Sequence, residues 1–306
     1  MMVMLMKVQY TFYKPEKGLE EIQATIYNEA LRKYGEGIIV TAEQIKQRYD
    51  SEKPDPKGIR YALKDDDTPL AYIQTRVTEG DDEKRTYIGY PWATNECPLE
   101  VQEKLFEEML EYIKTRDANS KIVMGLLKDS WIDVIEFVKS KRFVLIDENP
   151  QYSIDVSKVN NVEQTKYFSR KATEDDLDIM VDLIKSDPIA NKFFPSEEAI
   201  SGYFKDRVLP DGHTILVFCE DQLVSSGAPL KGFSQDGVIL RFSSLRPKFE
   251  DAWNILILEI SKHMRELSWQ EPFYISTRGS EEREDFIKSL GGIKDHTLLL
   301  FELTTP

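Results

Sequence analysis

The sequence predicts an α/β fold of the α+β type, built as two similar domains in tandem. Three observations predict it. The order strand, helix, strand, helix, strand occurs twice, at an offset of about 150 residues. Apolar residues recur at helical spacing in the long segments, and run together or alternate in the short ones. A polar, asparagine-rich bridge over 157–165 separates the copies. We therefore expect domains at 1–162 and 163–306.

The elements follow in order. In the first copy, 8–12 reads as a strand and 20–34 as an amphipathic helix. A hairpin joins 60–64 to 70–78 through Asp65, Asp66, Asp67 and Thr68, a turn by composition. A strand over 85–90 precedes a helix over 99–116, whose Val101, Leu105, Met109, Tyr112 and Ile113 share one face. A strand over 121–127, buried on both faces, leads to a helix over 130–140, and strands over 143–146 and 152–156 close the copy. In the second copy a strand over 167–171 is followed by a helix over 174–185, with Thr173 as its N-cap. A hairpin joins 214–219 to 223–229. Next come a strand over 238–243, a helix over 249–267 and a strand over 272–277. A helix over 280–290 is capped by Ser280, with Glu282 and Glu284 favourable in its first turn. The last strand spans 296–303.

Composition fits a globular protein: 306 residues, 41% hydrophobic and 31% charged. The 40 basic and 54 acidic residues give a net charge of −14, interleaved along the chain. That charge opposes a nucleic-acid partner or an anionic membrane, and we expect neither. Cys97 and Cys219 are far apart, which argues against a disulfide framework or a paired-cysteine zinc site. The apolar start, 1–6, lacks a basic leader, and no apolar run approaches membrane-spanning length. The expectation is a soluble, cytoplasmic protein. No phosphate loop, dinucleotide fingerprint or nucleophile elbow occurs.

The element order of each copy resembles the GNAT superfamily of acyl-CoA-dependent N-acyltransferases, over nearly the whole chain. Three stretches carry the texture: 105–111 (LFEEMLE) beside the cofactor loop, and 137–143 (FVKSKRF) and 286–292 (FIKSLGG) at the later helix-to-strand junction. The resemblance implies acetyl-CoA or another acyl-CoA as co-substrate and a small-molecule or peptide amine as acceptor. Pantetheine would pair with a splayed strand, and pyrophosphate would meet the free amides of the next helix. It places cofactor contacts in the second copy on Phe242, Ser243, Ser244, Leu245, Arg246 and Lys248.

The sequence also departs from the family. The glycines of its cofactor loop are missing from 97–102 (CPLEVQ), and from 248–253 or 249–254. Glu100, Glu250 and Asp251 lie near those loops, either as helix-capping charges or as disfavoured neighbours of phosphate. The family's acidic tyrosine position falls on Val138 and Ile287, neither of which transfers a proton. No catalytic residue is assigned. The alternative is an inactive relative that binds a ligand or a protein through the old cleft.

Remaining residues take plain readings. His213, His263 and His296 have no ligand spacing, so we expect surface or boundary histidines and no metal. The acids at 65–67 and 81–83 read as solvated turns. Trp92 either plugs the core or lines the cleft, as do Trp253, Phe249 and Phe242 in the second copy. Cys97, beside Pro98 at a helix start, is expected to have a lowered pKa.

Overall fold

A computed structural model describes residues 7–36, 39–64, 67–79, 84–117, 119–159, 166–188, 190–194, 196–231 and 237–304. The first half contains β1 (Val8–Phe12), α1 (Leu19–Lys33), α2 (Ala42–Glu52), β2 (Ile59–Lys64), β3 (Pro69–Glu79), β4 (Lys84–Ile88), β5 (Trp92–Ala93), α3 (Leu99–Arg116), β6 (Lys121–Lys128), α4 (Ile132–Ser140) and β7 (Phe143–Ile154). The second contains β8 (Tyr167–Lys171), α5 (Leu177–Ser186), α6 (Glu197–Tyr203), β9 (Ile215–Cys219), β10 (Gln222–Lys231), β11 (Val238–Leu245), α7 (Glu250–Glu266), β12 (Phe273–Ser276), α8 (Glu281–Ser289) and β13 (Ile293–Leu303). The core of the bridge at 160–165 lies outside the described residues, as do 1–6, 65–66 and the acidic run at 80–83.

The long helices form where apolar stripes demand burial. In α3, Val101, Leu105, Phe106, Met109 and Ile113 face the sheet, and acids and lysines cover the other side. In α7, Trp253, Leu256, Ile257, Ile260 and Met264 are buried. Ser280 caps α8 by accepting from the Arg283 amide.

The halves share one sheet, with strand order β1-β2-β3-β4-β6-β13-β7-β12-β11-β10-β9-β8 and β5 beside β3. The final strands are exchanged. β13 lies against β6 of the first half, from Leu298 opposite Lys128 to Glu302 opposite Val123. β7 lies against β12 of the second half, from Phe273 opposite Ile154 to Ser276 opposite Gln151. The two exchanged strands pair with each other from Ile293–Ser153 to Leu303–Phe143. The cores follow the exchange. Leu299 and Phe301 pack with Phe106 and Phe137, while Tyr152, Ile154, Val156 and Val159 pack with Trp253 and Phe273.

Several expectations needed correction. The strands expected at 143–146 and 152–156 are one strand, because β13 pairs continuously with the polar stretch between them. Helices α2 and α6 were not anticipated. They are short, and little of α6 beyond Ile200 is buried.

Within each half, one parallel strand pair splays open. β4 and β6 pair only from Arg85–Lys121 to Tyr87–Val123. β11 and β12 pair only at Val238–Phe273 and Ile239–Tyr274. A bulge starts each splay. Between Ala228–Phe242 and Pro229–Leu240, Arg241 is the extra residue in β11. Between Thr75–Ile88 and Tyr72–Trp92 the first half likewise carries one extra residue, at Tyr90–Pro91.

Candidate functional site

Each splay opens into a cavity of about 580 Å3. The two are built from corresponding parts: the end of the splayed strand, the start of the helix after it, and the start of the helix after the next strand.

In the C-terminal cleft the strand edge is set by alternation. The Arg246 amide donates to the Val224 carbonyl at 2.8 Å, so Ser244 and Phe242 turn their backbone groups toward β10. Ser243 and Leu245 therefore turn theirs toward the gap. Both edges are engaged from within the chain. Arg278 Nη2 donates to the Ser243 carbonyl at 2.9 Å, and the Leu245 amide donates to Asp187 Oδ2 at 2.9 Å. Asp187 is buried and also accepts from the Ala190 amide at 3.0 Å. Arg278 stands in the left-handed region with φ 51°, followed by Gly279 at φ 70°. That kink sends its side chain back across the splay. Arg283, in the first turn of α8, lays its guanidinium 4.9 Å from the centre of the Trp253 ring. Burial pushes the pKa of both arginines down. The Arg278 charge lowers that of Arg283 further, and Asp187 partly offsets the effect on each. Two desolvated cations side by side form a receptive site for an anion.

The residues singled out from sequence divide. Ser243 and Leu245 edge the gap. The Ser244 side chain is buried, Oγ to Oγ with Ser226 at 2.7 Å, and Phe242 packs edge-on against Phe204. Arg246 turns away, donating to the Leu223 carbonyl at 3.1 Å and to Asp182 at 2.6 Å. Lys248 is exposed, with φ 75°, and its amide donates to Glu250 Oε1 at 3.2 Å. Asp251 is engaged by the Tyr167 hydroxyl and by Lys166. Burial raises its pKa, but these partners outweigh it and the net shift is downward. The acids of this helix start thus have structural partners. The cleft's own cations, Arg278 and Arg283, were not anticipated. The available signal was an Arg-Gly pair just before a serine-capped helix.

In the N-terminal cleft the strand edge is closed differently. Pro91 has no amide hydrogen, the Trp92 amide donates to the Tyr90 carbonyl at 2.9 Å, and Gln102 Nε2 donates to the Pro91 carbonyl at 3.2 Å. Asn95 is held like Leu245, its amide donating to Glu29 at 2.8 Å. Trp92 is half-buried and does both things expected of it. It lines the cavity, and it meets Tyr27, Tyr34, Tyr90 and Trp131 edge-on at 5.1–6.2 Å. Trp253 is wholly buried. Burial pushes the Cys97 thiol up to about 12, opposite to the expected lowering, because desolvation outweighs the helix start. Val138 and Ile287 are fully buried.

The histidines correct another expectation. His213 Nδ1 and His263 Nε2 stand 3.2 Å apart, and His263 is buried rather than at the surface. Among the described residues, no group of three or more His, Cys, Asp and Glu side chains could hold a metal ion. None of the described helices is long and apolar enough to cross a membrane.

No protein-family model and no curated protein matches the chain. Solved structures do match. A GCN5-related N-acetyltransferase from Sphaerobacter thermophilus superposes with a TM-score of 0.74 at 11% identity, over 96% of this chain and 95% of that one. A tandem GNAT protein from the clavulanic acid biosynthesis pathway superposes with a TM-score of 0.70 at 8% identity, over 98% of this chain and all of that one. The fold is that of a tandem GNAT protein. A GCN5-related glucosamine N-acetyltransferase region of a fungal GH3 β-N-acetylglucosaminidase also matches. Its TM-score is 0.76 at 10% identity, over 98% of this chain and 38% of that larger one. Both cavities lie at the splayed strands of this tandem GNAT fold.

Proposed function

We propose that the chain transfers an acetyl or other acyl group from acyl-CoA to an amine, with acyl-CoA in the C-terminal cleft. In this reading the chain divides into functional units at residues 162 and 163. The observation that carries the proposal is the gap beyond Ile239–Tyr274, edged by Ser243 and Leu245 and flanked by Arg278 and Arg283. The Ser243 backbone would pair with the extended arm of the co-substrate once Arg278 lets go of its carbonyl, while Asp187 keeps the Leu245 amide. The two arginines would meet its phosphates. The acceptor amine, once deprotonated, attacks the thioester carbonyl. A carbon–nitrogen bond forms, the carbon–sulfur bond breaks, and the proton that the attacking nitrogen sheds passes through water to the thiolate. Orientation rather than a dedicated acid supplies the acceleration, since Ile287 is aliphatic and buried.

A second reading is a ligand-binding or protein-interaction module without chemistry. Two observations favour it: both strand-edge groups are already bonded internally, and the tyrosine position is aliphatic in both halves. Calorimetry with acetyl-CoA and CoA separates the two. A dissociation constant of roughly 1–100 μM, with release of free thiol when amines are added, supports the transferase. No heat from folded protein at millimolar CoA turns the assignment to the second reading.

A further inference from the structure

The N-terminal cavity has aromatic and acidic walls, and among the described residues that line it none is an arginine. Tyr34, Tyr90 and Trp92 form one side. Asp133 and Glu136 stand one turn apart on α4 on the other. The starts of the two helices that face this cleft already carry carboxylates of their own, Glu100 on α3 and Asp133 on α4. An anion would meet charge of its own sign there. With Pro91 and Gln102 closing the strand edge, nothing in this cleft invites an extended thioester arm.

Among the described residues, the cavity's one cationic lining residue shows what the walls accept. Lys33 Nζ sits 2.5 Å from Asp133 Oδ2 and 5.3 Å from the centre of the Tyr34 ring. The Tyr34 hydroxyl donates to the same carboxylate oxygen at 3.0 Å. This is an ammonium held by a carboxylate and a ring face. Burial opposes the charge on Asp133, yet Lys33 and Tyr34 outweigh it and lower its pKa. The Lys33 side chain is 55% exposed, so its own ion pair is of the weak surface kind and yields readily to a competitor. Glu103 is already paired with Lys141 at 3.1 Å, whereas Glu136 has no ion-pair partner among the described residues. Asp133 therefore holds one replaceable ammonium, and Glu136, one turn along α4, holds none among the described residues.

We propose that the N-terminal cleft binds an organic cation, a primary ammonium on an apolar stem. The ammonium takes the place of Lys33 Nζ on Asp133, with the unpaired Glu136 one turn along α4. The stem lies against Tyr34, Tyr90 and Trp92, with exposed Leu99 at the mouth. The site is independent of acyl transfer in the other half.

Phenethylammonium tests this by calorimetry and tryptophan fluorescence, beside 3-phenylpropionate, which has similar size and opposite charge. The cation should bind and the anion should not. Asp133→Asn should weaken the cation about tenfold. Lys33→Met removes the resident ammonium and should tighten it about threefold. If Asp133→Asn fails to fold by circular dichroism, Lys33→Met alone decides. Three results overturn the proposal: no binding at millimolar phenethylammonium by folded wild type and Lys33→Met, weaker cation binding by Lys33→Met, or preferential binding of 3-phenylpropionate that Lys33→Met abolishes. CoA titrated into the same sample reports separately on the C-terminal cleft.

Discussion

Counted from the helix start, Arg278 and Arg283 of the C-terminal cleft correspond to Asp129 and Val134 of the N-terminal one. The strand before the helix, the helix and the splay beside them are shared, yet one junction presents two guanidiniums and the other an acid and a buried valine. The first helical region of each half supplies a carboxylate to the amide where the splayed strand ends: Glu29 to Asn95, Asp187 to Leu245. Glu29 does so at the exposed surface and Asp187 in the interior. The same backbone thus supports two kinds of cleft, and a few junction side chains set the charge of what fits. Fold alone does not choose the ligand.

The largest expected effect tests how the halves depend on each other. Phe301→Ala removes a fully buried ring that the last strand places in the first half's core. It should destabilise the protein by about 3–5 kcal/mol in urea unfolding. A loss below about 1 kcal/mol would break the picture of a core closed by an exchanged strand. Next, Asp187→Ala leaves two amides, those of Leu245 and Ala190, without their partner and should cost about 2–3 kcal/mol. Glu29→Ala, at the exposed counterpart, should cost under about 1 kcal/mol. Equal losses would erase the contrast between the clefts.

Acid sharpens the contrast further. Arg170 grips Asp176 with two bonds of 2.7 and 2.6 Å and, with the Thr173 contacts, lowers its pKa from 3.8 to about 2. Because the folded value is the lower one, this stabilisation is complete above about pH 4 and is lost as pH falls toward 2. Asp176→Asn should remove about 1–2 kcal/mol at neutral pH and flatten that limb of the acid unfolding curve. The smallest effect concerns His263. Burial, Lys171 and His213 all lower its pKa below 6.5, and Glu266 only partly offsets them. The unfolded chain therefore binds the proton more readily, and stability should fall as pH drops below about 6.5. All three histidines belong to the second half. Hydrogen exchange between pH 7 and 5 should loosen α7 while the helices of the first half hold, and His263→Gln should remove the difference.

Much of this architecture is legible in the sequence where local pattern decides. The helix expected at 99–116 is α3 to the residue, and those at 249–267 and 280–290 overrun α7 and α8 by one residue at each end. Pairing partners are not local. Nothing in Leu298 or Phe301 says that the strand next to them is β6 from the other copy, since apolar alternation is the same for any neighbour. At the site, period-2 alternation brought Ser243 and Leu245 to the gap. Arg246 was legible as a cation, but its direction depends on Asp182, 64 residues earlier. Arg278 reaches the cleft through a left-handed backbone turn that its sequence neighbourhood only hints at. His213 and His263, 50 residues apart, meet through tertiary packing alone.

The crossed last strands have a consequence for the chain as a physical object. Severing the backbone between the copies would leave each fragment with its terminal strand threaded through the other's sheet. The nicked protein should travel as a single particle. Either fragment made alone would expose the strand edge that its missing counterpart covers, an open seam ready to recruit any extended peptide. The two pieces, mixed after separate synthesis, should find each other by filling those seams.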